Sequence, residues 1–508
     1  MTTNPERRHV VIVGGGLAGL AAAECIARTH PERFRVTLLE AKRTAGGRAG
    51  SFTDPVTAET VDYCQHVAMG CCTNLLGLLA RNGLSAAMRR YSNLTFFHPD
   101  FSPSEFSPSR WLPAPLHLAT TIGNLTYLDR QQKREIRRGL WKLIRTPSRQ
   151  LDDVVALDWL RSQGQSDRSI RSFWDVILTS ALGEHSQYTS MAAARKVFVD
   201  GFAAARGASD VLVPDRPLRT LVGRDLVDAL TKRGVEIRCG TAVQTIETRR
   251  GQLQCVLTRD GHRIEADHVI SAVPWHAIAR LLGDAAVTAA IADLESFARI
   301  PASPISGIHL WFDQAITTRP HAVLVDSLTQ WLFRQPFSTS GTISGRFYGS
   351  GSRQDVRFPG RSKLLTSSAT EANSEHYYQV VISGSHPMSG SSKEEMVAQV
   401  LSELTAVFPA TETATLLRHR VVTDPNSVFS IRPAVERLRP PPCPAPTELP
   451  WLALAGDWTR TGWPATMEGA VISGIQAASS VFENAGLPSV TADPGLKRGW
   501  LANRIIAP

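Results

Sequence analysis

Residues 10–19 read Val-Val-Ile-Val-Gly-Gly-Gly-Leu-Ala-Gly, and residues 20–27 continue as Leu-Ala-Ala-Ala-Glu-Cys-Ile-Ala. The apolar start predicts a short buried strand, and the alanine-rich continuation predicts a helix. Between them Gly14, Gly16 and Gly19 follow a G-x-G-x-x-G pattern. The first glycine allows a tight turn, the second lets a pyrophosphate approach the backbone, and the third lets helix and strand pack closely. The free N–H groups of the helix N-terminus then face the phosphates.

A second apolar segment, residues 36–39, predicts another buried strand that ends at Glu40, about twenty residues past Gly19. A carboxylate at this distance accepts hydrogen bonds from the adenosine ribose. It also repels a 2′-phosphate, which argues against NADP. The glycine pattern alone is a weak signal, but strand, turn, helix and acid in this order predict a dinucleotide-binding site.

With 508 residues the chain is long enough for two domains. No run of about 18 apolar residues predicts a membrane-spanning helix, and residues 1–9 are polar, unlike the core of a signal peptide. We therefore expect a cytoplasmic protein. The seven cysteines are odd in number and contain no C-x-x-C pair, which fits a reducing compartment and predicts no metal site.

The formal net charge of +9 predicts anionic partners. No recognisable nucleic-acid module accompanies it, so we expect no nucleic acid among them. Residues 128–145 combine seven Lys and Arg side chains with an apolar face. Such a helix can make a transient contact with an anionic membrane surface, and a solvated surface helix has the same pattern, so both interpretations stay open.

Two further segments carry cofactor-type patterns. Gly46 and Gly47 let the backbone pass close to a cofactor directly behind the acid of the second strand, and Arg48 offers a rigid fork for a phosphate. Near the C-terminus, residues 451–457 predict a strand that ends at Asp457, followed by a helix that begins near residue 466. A carboxylate at that strand end can hold ribityl hydroxyls, and the helix N-terminus can stabilise negative charge on a reduced flavin, which indicates FAD.

The remaining segments carry less specific patterns. Residues 96–118 are rich in Pro, Ser, Phe and Trp and predict an irregular, apolar pocket wall or lid. Residues 338–375, rich in Ser, Gly and Thr, predict a long flexible insertion. Residues 439–446 predict a polyproline-like connector, and residues past Leu487 a frayed tail.

Together these patterns predict an α/β flavoprotein with a Rossmann-like FAD-binding domain, discontinuous in sequence, and a second, α+β substrate-binding domain. The FAD domain is expected at 1–85, 208–285 and 426–485, the substrate domain at 86–207 and 286–425, and a C-terminal tail at 486–508.

The glycine turn, Glu40, Gly46-Gly47-Arg48, Ala455-Gly456-Asp457 and residues 467–474 resemble the superfamily of FAD-dependent amine oxidases and phytoene desaturases. Within it the chain is most similar to the hydroxysqualene dehydroxylases, squalene-associated desaturase-like flavoenzymes of bacterial hopanoid pathways. Asp62 with Gln65-His66-Val67, Gly70-Cys71-Cys72 and residues 455–466 carry that similarity. Tyr63-Cys64 departs from it, because Asn-Gly is usual there, and the insertion at 338–375 is longer than the family needs.

The resemblance implies that reduced FAD delivers hydride to hydroxysqualene, that water leaves and that squalene forms. The substrate is then an apolar C30 isoprenoid in a dry tunnel, which suits a protein peripheral at the inner face of the cell membrane and associated with squalene-pathway synthases. The hydroxyl needs an acid, and the candidate is His66, with Gln65 and Asp62 as positioning groups. A lone histidine in an apolar run is more often a satisfied core residue.

The expected cofactor-binding positions lie in the segments named above and at one position in the middle of the chain. They are Gly14, Gly15, Gly16, Ala18, Gly19, Glu40, Ala41, Lys42, Gly46, Gly47, Arg48, His66, Val67, Val243, Gly456, Asp457, Met467, Gly469 and Ala470.

Three alternatives share the fold. A carotenoid desaturase of the phytoene type runs the redox chemistry in the oxidative direction. An amine oxidase usually has a covalently tethered FAD or an aromatic pair beside the flavin, and the sequence has no clear equivalent. A flavin-free lipid-binding carrier, similar to the GDP dissociation inhibitors, does not need the full set of cofactor residues that this chain retains.

Overall fold

The computed structural model describes residues 7–55, 58–291, 294–334 and 375–508. The insertion predicted at 338–375 lies outside the described residues, except for its last position.

The strands are listed here in chain order: β1 (Arg8–Val13), β2 (Phe34–Glu40), β3 (Ser51–Thr53), β4 (Thr60–Asp62), β5 (Ala68–Met69), β6 (Met88–Tyr91), β7 (Leu94–His98), β8 (Phe101–Phe106), β9 (Val211–Pro214), β10 (Glu236–Cys239), β11 (Val243–Arg249), β12 (Gln252–Thr258), β13 (Arg263–Ile264), β14 (His268–Ser271), β15 (Ala302–Phe312), β16 (His321–Leu324), β17 (Trp331–Arg334), β18 (His376–Ser383), β19 (Leu416–Phe429) and β20 (Leu452–Leu454).

The helices follow in the same order: α1 (Leu17–Thr29), α2 (Thr73–Arg81), α3 (Ala119–Asn124), α4 (Arg130–Arg145), α5 (Ala156–Ser162), α6 (Asp167–Ser169), α7 (Val176–Leu182), α8 (Met191–Phe198), α9 (Leu218–Thr220), α10 (Val227–Lys232), α11 (Ile278–Leu281), α12 (Ala285–Ala290), α13 (Leu294–Phe297), α14 (Lys393–Val407), α15 (Val435–Leu438), α16 (Met467–Asn484) and α17 (Trp500–Ile505). Wider π-helical turns extend the helices at Ile170–Asp175, Val199–Ala203 and Leu221–Leu226.

A five-stranded parallel sheet forms the first layer, with strand order β10-β2-β1-β14-β20. β1 lies at its centre, and residues 9–13 are buried because both faces of a parallel sheet are covered. The carboxyl ends of parallel strands meet at one edge of a sheet. This edge therefore brings together the glycine turn after β1, Glu40 at the end of β2 and Asp457 after β20.

A seven-stranded sheet forms the second layer, with strand order β19-β15-β18-β17-β16-β7-β8. Residues alternate between its faces. On one face Ile308, Leu310 and Phe312 join an apolar core with helix α14. The other face approaches the segment after β4 so closely that a Cβ at Gly307 would lie 2.6 Å from the carbonyl oxygen of Tyr63.

The predicted α/β class, with a Rossmann-like layer and a second mixed layer, is confirmed by this arrangement. The domain boundaries stay predictions, and two strands do not follow them. β6, from the segment assigned to the substrate domain, pairs with β9 from the segment assigned to the FAD domain. β19 continues to Phe429, past the predicted boundary at 425.

Residues 96–118 are more regular than expected. β7 and β8 form an antiparallel hairpin at the edge of the seven-stranded sheet, and only the segment after Phe106 is irregular. Pro103 is compatible with β8 because an edge strand leaves one row of N–H groups unused. The prediction of an irregular segment was wrong for its first half.

The tail past Leu487 is also ordered. Val490 exchanges hydrogen bonds with Ser479, and Asp493 accepts and donates bonds with Asn74. α17 packs against the apolar side of α4, and the backbone of Ser148 donates to the carbonyl of Pro508. The prediction of a frayed tail was wrong, because these contacts bind the segment to α16, α2 and α4.

The basic amphipathic helix is present as α4. It begins two residues later than predicted, because Asp129 caps it and exchanges hydrogen bonds with Gln132 in a capping box. Among the described residues, no helix has both the length and the apolar character that crossing a bilayer requires.

Candidate cofactor and substrate site

The glycine turn after β1 has the geometry that its sequence predicts. Gly14 adopts φ +115°, and a Cβ there would lie 2.6 Å from the carbonyl oxygen of Ala272. A Cβ at Gly19 would lie 2.0 Å from the carbonyl oxygen of Gly14, so α1 packs directly on the turn. At Gly16 the nearest atom to a Cβ is 4.0 Å away, which leaves open space beside the backbone. This open cradle fits a pyrophosphate, and α1 has no side-chain cap that would occupy its N-terminus.

Glu40 is buried at the end of β2 and directed towards the turn. Its Oε2 accepts from the N–H of Gly15 at 2.7 Å, and its Oε1 accepts from the N–H of Lys42 at 2.8 Å. Each carboxylate oxygen has further lone pairs, so ribose hydroxyls can still bind there. The carbonyl groups of Glu40 and Lys42 in turn accept from Thr241 and Gly240, which places the start of β11, with Val243, beside the same edge.

The second glycine pair lies against the first. The N–H of Gly46 donates to the carbonyl of Gly15 at 2.8 Å, and a Cβ at Gly47 would lie 3.1 Å from Cα of Gly16. Side chains at these positions would close the space beside the turn. Ala41 and Lys42 are exposed next to this pair, and the Lys42 ammonium lies 5.3 Å from the centre of the Tyr63 ring.

Arg48 and Asp457, which are far apart in sequence, form an ion pair. Arg48 also donates to the carbonyl of Ser427 at 2.8 Å. The sequence predicted a phosphate for the arginine and ribityl hydroxyls for the acid. The structure brings both groups to one point, because the buried carboxylate of Asp457 needs a partner.

The N-terminus of α16 completes this edge. Thr466 caps it by accepting from the N–H of Gly469 at 3.1 Å, and Ser473 accepts from the N–H of Gly456 at 2.8 Å. A Cβ at Gly474 would lie 2.2 Å from the carbonyl oxygen of Ala18, so α16 also packs tightly on α1. Both helix N-termini thus lie at the edge where the strand ends meet.

Glu468, next to Met467, has a role that the sequence analysis did not assign. Its buried carboxylate accepts from the backbone N–H and side-chain amide of Asn74 and from the N–H of Leu75 at 2.8–2.9 Å, which caps α2. Burial nevertheless raises its pKa above the usual value. The carboxylate therefore connects α16 to α2.

Arg439 is a second residue that the sequence analysis missed. Its side chain is 1% exposed and donates to the carbonyl groups of Asp457, Thr459 and Trp463, while Glu436 pairs with it at 2.5 Å. The connector that begins at 439 is thus anchored at its first residue. The signal for this role in the sequence was an arginine directly before a run of prolines. Such a position is close to backbone carbonyls that lack strand partners.

Asp62 is placed at a structural junction. Its carboxylate accepts from the hydroxyl of Ser51 at 2.5 Å and from the N–H of Leu218 at 3.0 Å, where α9 begins. Burial raises the pKa of Asp62 to about 6, and these two hydrogen bonds oppose the rise. These contacts connect the end of β4 to β3 and α9.

His66 has a defined tautomer. A carbonyl only accepts, so the contact of 2.9 Å from Nδ1 to the carbonyl of Cys64 puts the proton on Nδ1. Burial lowers the pKa of His66, so the ring is neutral at neutral pH and Nε2 is an acceptor. The side chain of Gln65 donates to the carbonyl of His66 at 3.1 Å. The role of acid stays a prediction, and the ring has the protonation state of a base.

A large cavity, here called the inner cavity, begins at the N-terminus of α16 and extends to β7, β16 and β17 of the seven-stranded sheet. Its empty space, including the part that is open to solvent, amounts to about 1330 Å³. Val67 and Met467 are the predicted site residues that line it, whereas Asp62, Gln65 and His66 are not among its lining residues. The lining is predominantly apolar: Val67, Met69, Cys71, Cys72, Leu94, Phe96, Phe106, Leu125, Tyr127, Ser172, Phe173, Val176, Ile177, Ser180, Ala181, Lys196, Val197, Gly201, Phe202, Ser209, Val211, Val323, Trp331, Trp463, Pro464, Thr466, Met467 and Glu468.

Comparison with protein families gives a match over almost the whole chain. The family described as flavin containing amine oxidoreductase matches residues 17–482.

Two curated relatives are similar to the chain over 94% of its length. The 15-cis-phytoene desaturase of Capsicum annuum is 23% identical over 496 residues, which cover 78% of that protein. The probable zeta-carotene desaturase of Synechococcus elongatus is 26% identical over 509 residues, which cover 98% of that protein.

Among solved structures, an oxidoreductase from Methanosarcina mazei superposes with a TM-score of 0.66 at 16% sequence identity. The match covers 94% of this chain and 100% of that one. At this identity the likeness concerns the fold.

Proposed function

The chain belongs to the family of flavin-containing amine oxidoreductases, with FAD as its cofactor, and from this premise we propose that it oxidises a long, apolar isoprenoid chain, in the manner of a carotenoid desaturase. Two desaturases similar over 94% of the chain support the direction of the reaction. The observation that carries the proposal is the inner cavity, whose predominantly apolar lining suits a long hydrocarbon better than a small polar molecule.

The charges in the inner cavity argue against an amine as substrate. Burying a protonated amine is costly unless a carboxylate pairs with it. The carboxylate on the cavity wall is Glu468, and three donors on α2 already bind it. The other charged group is the Lys196 ammonium, which repels a cationic substrate.

FAD, when bound, would supply the capacity to take up or release two electrons in the form of a hydride. The chain itself must provide an acceptor for the proton that leaves a neighbouring carbon. His66 fits that requirement, because its ring is neutral and Nε2 is unprotonated. Val67, its neighbour, lines the inner cavity, so His66 lies close to the wall along which the substrate would extend.

The proposal is tested with oxidised holoenzyme under anaerobic conditions. Adding 15-cis-phytoene in detergent is expected to bleach the flavin absorbance and to give a product with one more double bond, in an amount equal to the flavin reduced. Squalene serves as the control for an isoprenoid chain that lacks the conjugated triene. A flavin that stays oxidised with phytoene and with zeta-carotene contradicts the proposal.

Reduction of hydroxysqualene to squalene is a second candidate, and Lys196 favours it. A pure hydrocarbon needs no hydrogen-bond donor, whereas a departing hydroxyl needs one. The Lys196 ammonium lies on the cavity wall, 3.0 Å from the carboxylate of Asp200 and 4.6 Å from the centre of the Trp463 ring.

The same holoenzyme separates the two candidates. If photoreduced enzyme becomes oxidised anaerobically when hydroxysqualene is added, and squalene appears in equal amount, the chain is a dehydroxylase. Lys196→Met should then lower the rate of flavin oxidation, while the spectrum of bound flavin stays unchanged. If the reduced flavin persists and phytoene bleaches the oxidised form, the desaturase proposal stands.

A further inference from the structure

A second cavity lies between the inner cavity and the surface. The empty space of this outer cavity, including the part that is open to solvent, amounts to about 800 Å³, and residues of α3, α4 and the segment before α3 line it. Four of its lining side chains also line the inner cavity: Phe106, Phe173, Ile177 and Phe202. The two cavities are therefore separated by single apolar side chains, and the outer cavity is the surface end of an apolar path.

Exposed apolar side chains concentrate around the outer cavity. Trp111 is 92% exposed, Leu112 36%, Leu116 40% and Trp141 45%. Leu116 and Trp141 line the outer cavity, and the Arg206 guanidinium holds the loop of Trp111 by donating to the carbonyl of Leu112. Leaving two tryptophans in water is unfavourable, so this patch marks a surface that binds something apolar.

The same surface carries unpaired positive charge. Helix α4 has six exposed cations: Arg130, Arg134, Arg137, Arg138, Lys142 and Arg145. In the part of the chain that the structure describes, none of them takes part in an ion pair. The single acid of α4, Glu135, is directed inwards, where it accepts from the hydroxyls of Ser166 and Ser169 at 2.7 Å. Nothing on the helix neutralises its outer face.

We propose that the loop of residues 107–118 and the outer face of α4, together called the docking surface, bind an anionic lipid bilayer. Tryptophans at the level of the headgroups and cations beside them are the side chains that such an interface favours. A second copy of the chain fits poorly, because a symmetric contact would bring two arrays of six cations together. The docking itself does not depend on the reaction. The corollary, that the apolar substrate passes from the bilayer through the outer cavity, rests on the proposed function.

The experiment uses flavin-loaded full-length protein and vesicles of phosphatidylcholine, with and without phosphatidylglycerol. Flotation is expected to recover the protein with the anionic vesicles, and binding should weaken as salt rises. Arg134→Glu with Arg138→Glu should lower the partition coefficient on anionic vesicles about tenfold or more. Trp111→Ser should lower it about tenfold on vesicles of either composition.

Matched controls lie elsewhere on the surface. Leu417→Ser replaces an exposed apolar side chain on β19, and Lys232→Glu with Arg249→Glu reverses two exposed cations far from α4 in sequence. The flavin spectrum and circular dichroism verify that every variant is folded, and no substrate is present, so a failed reaction proposal leaves the result intact. Equal binding of docking-surface and control variants, absence of vesicle binding, or a dimer that Trp111→Ser converts to monomer without vesicle binding would overturn the proposal.

Discussion

The cofactor edge and the inner cavity are built on opposite principles. The cofactor edge uses backbone N–H groups, glycines and carboxylates at the ends of β1, β2 and β20, so each position admits few residue types. The inner cavity uses side chains from six or more separate segments, and apolar area is all that they share. A phosphate or a ribose needs donors and acceptors at fixed points, whereas a hydrocarbon needs only shape and dryness. Single mutations should therefore have large effects at the cofactor edge and smaller effects in the inner cavity.

The glycine turn gives the largest expected effect. We expect Gly19→Ala to abolish FAD binding, because its Cβ would lie 2.0 Å from the carbonyl oxygen of Gly14 and the backbone must move. Flavin absorbance of the purified protein and its thermal midpoint measure the outcome. Gly16→Ala is the matched control, since its Cβ meets nothing closer than 4.0 Å. It should leave the thermal midpoint of the flavin-free protein nearly unchanged and still weaken FAD binding, and equal stability losses in both variants would contradict the assignment.

Arg439 tests whether the loop after β20 depends on one buried cation. Arg439→Leu removes the donor of three carbonyl groups, so we expect the free energy of unfolding to fall by about 3–5 kcal/mol. Denaturant unfolding measures it. Arg437→Leu, two residues earlier and 71% exposed, should change the stability by less than about 0.5 kcal/mol. Comparable losses in the two variants would remove the anchoring role.

Asp62 connects β4 to β3 and α9, outside the lining of the inner cavity, and its effect should depend on pH. Its pKa is about 6 in the folded protein and near 3.8 in the unfolded chain. The folded state therefore binds the extra proton, so the cost of the buried charge is absent below pH 4, grows between pH 4 and 6, and reaches about 3 kcal/mol above that.

Asp62→Asn should thus be more stable than the wild type at pH 7 and similar to it at pH 4. Unfolding free energies measured across this range test the expectation, and Asp284→Asn, at the cap of α12, is the control that should not flatten the pH dependence. A difference between Asp62→Asn and the wild type that does not change with pH would show that the carboxyl carries no such cost. Unaltered turnover in the variant would count against the positioning role that the sequence analysis gave Asp62.

The inner cavity gives the smallest expected effect on the fold. Ile177 lines both cavities and is only partly buried, so Ile177→Ala should cost about 1 kcal/mol of stability. Its affinity for FAD should change less than about twofold, while the substrate concentration for half-maximal rate rises about tenfold. Leu417→Ala, exposed on β19, should alter none of these quantities. Loss of flavin from the Ile177 variant would show that the inner cavity also determines FAD binding, which would contradict the distinction between the two regions.

The sequence alone determined the features that depend on residues close to one another in the chain. The turn at Gly14–Gly19, the acid at Glu40, the start of α16 and the basic helix α4 all follow from local spacing. Here backbone conformation and hydrogen bonding are settled within a few residues. The α/β class followed for the same reason, since each strand–turn–helix unit is recognisable by itself.

Only the tertiary structure decided which distant groups meet. Arg48 pairs with Asp457 and Arg439 holds the carbonyl of the same residue, and no periodicity in the sequence predicts either contact. The hydrogen bond and the lowered pKa of the His66 ring follow from the burial of its segment beside the second layer. The cavities are lined by apolar side chains that could come from many positions of the chain. The sequence shows how many such side chains there are, whereas only their packing determines where a cavity remains.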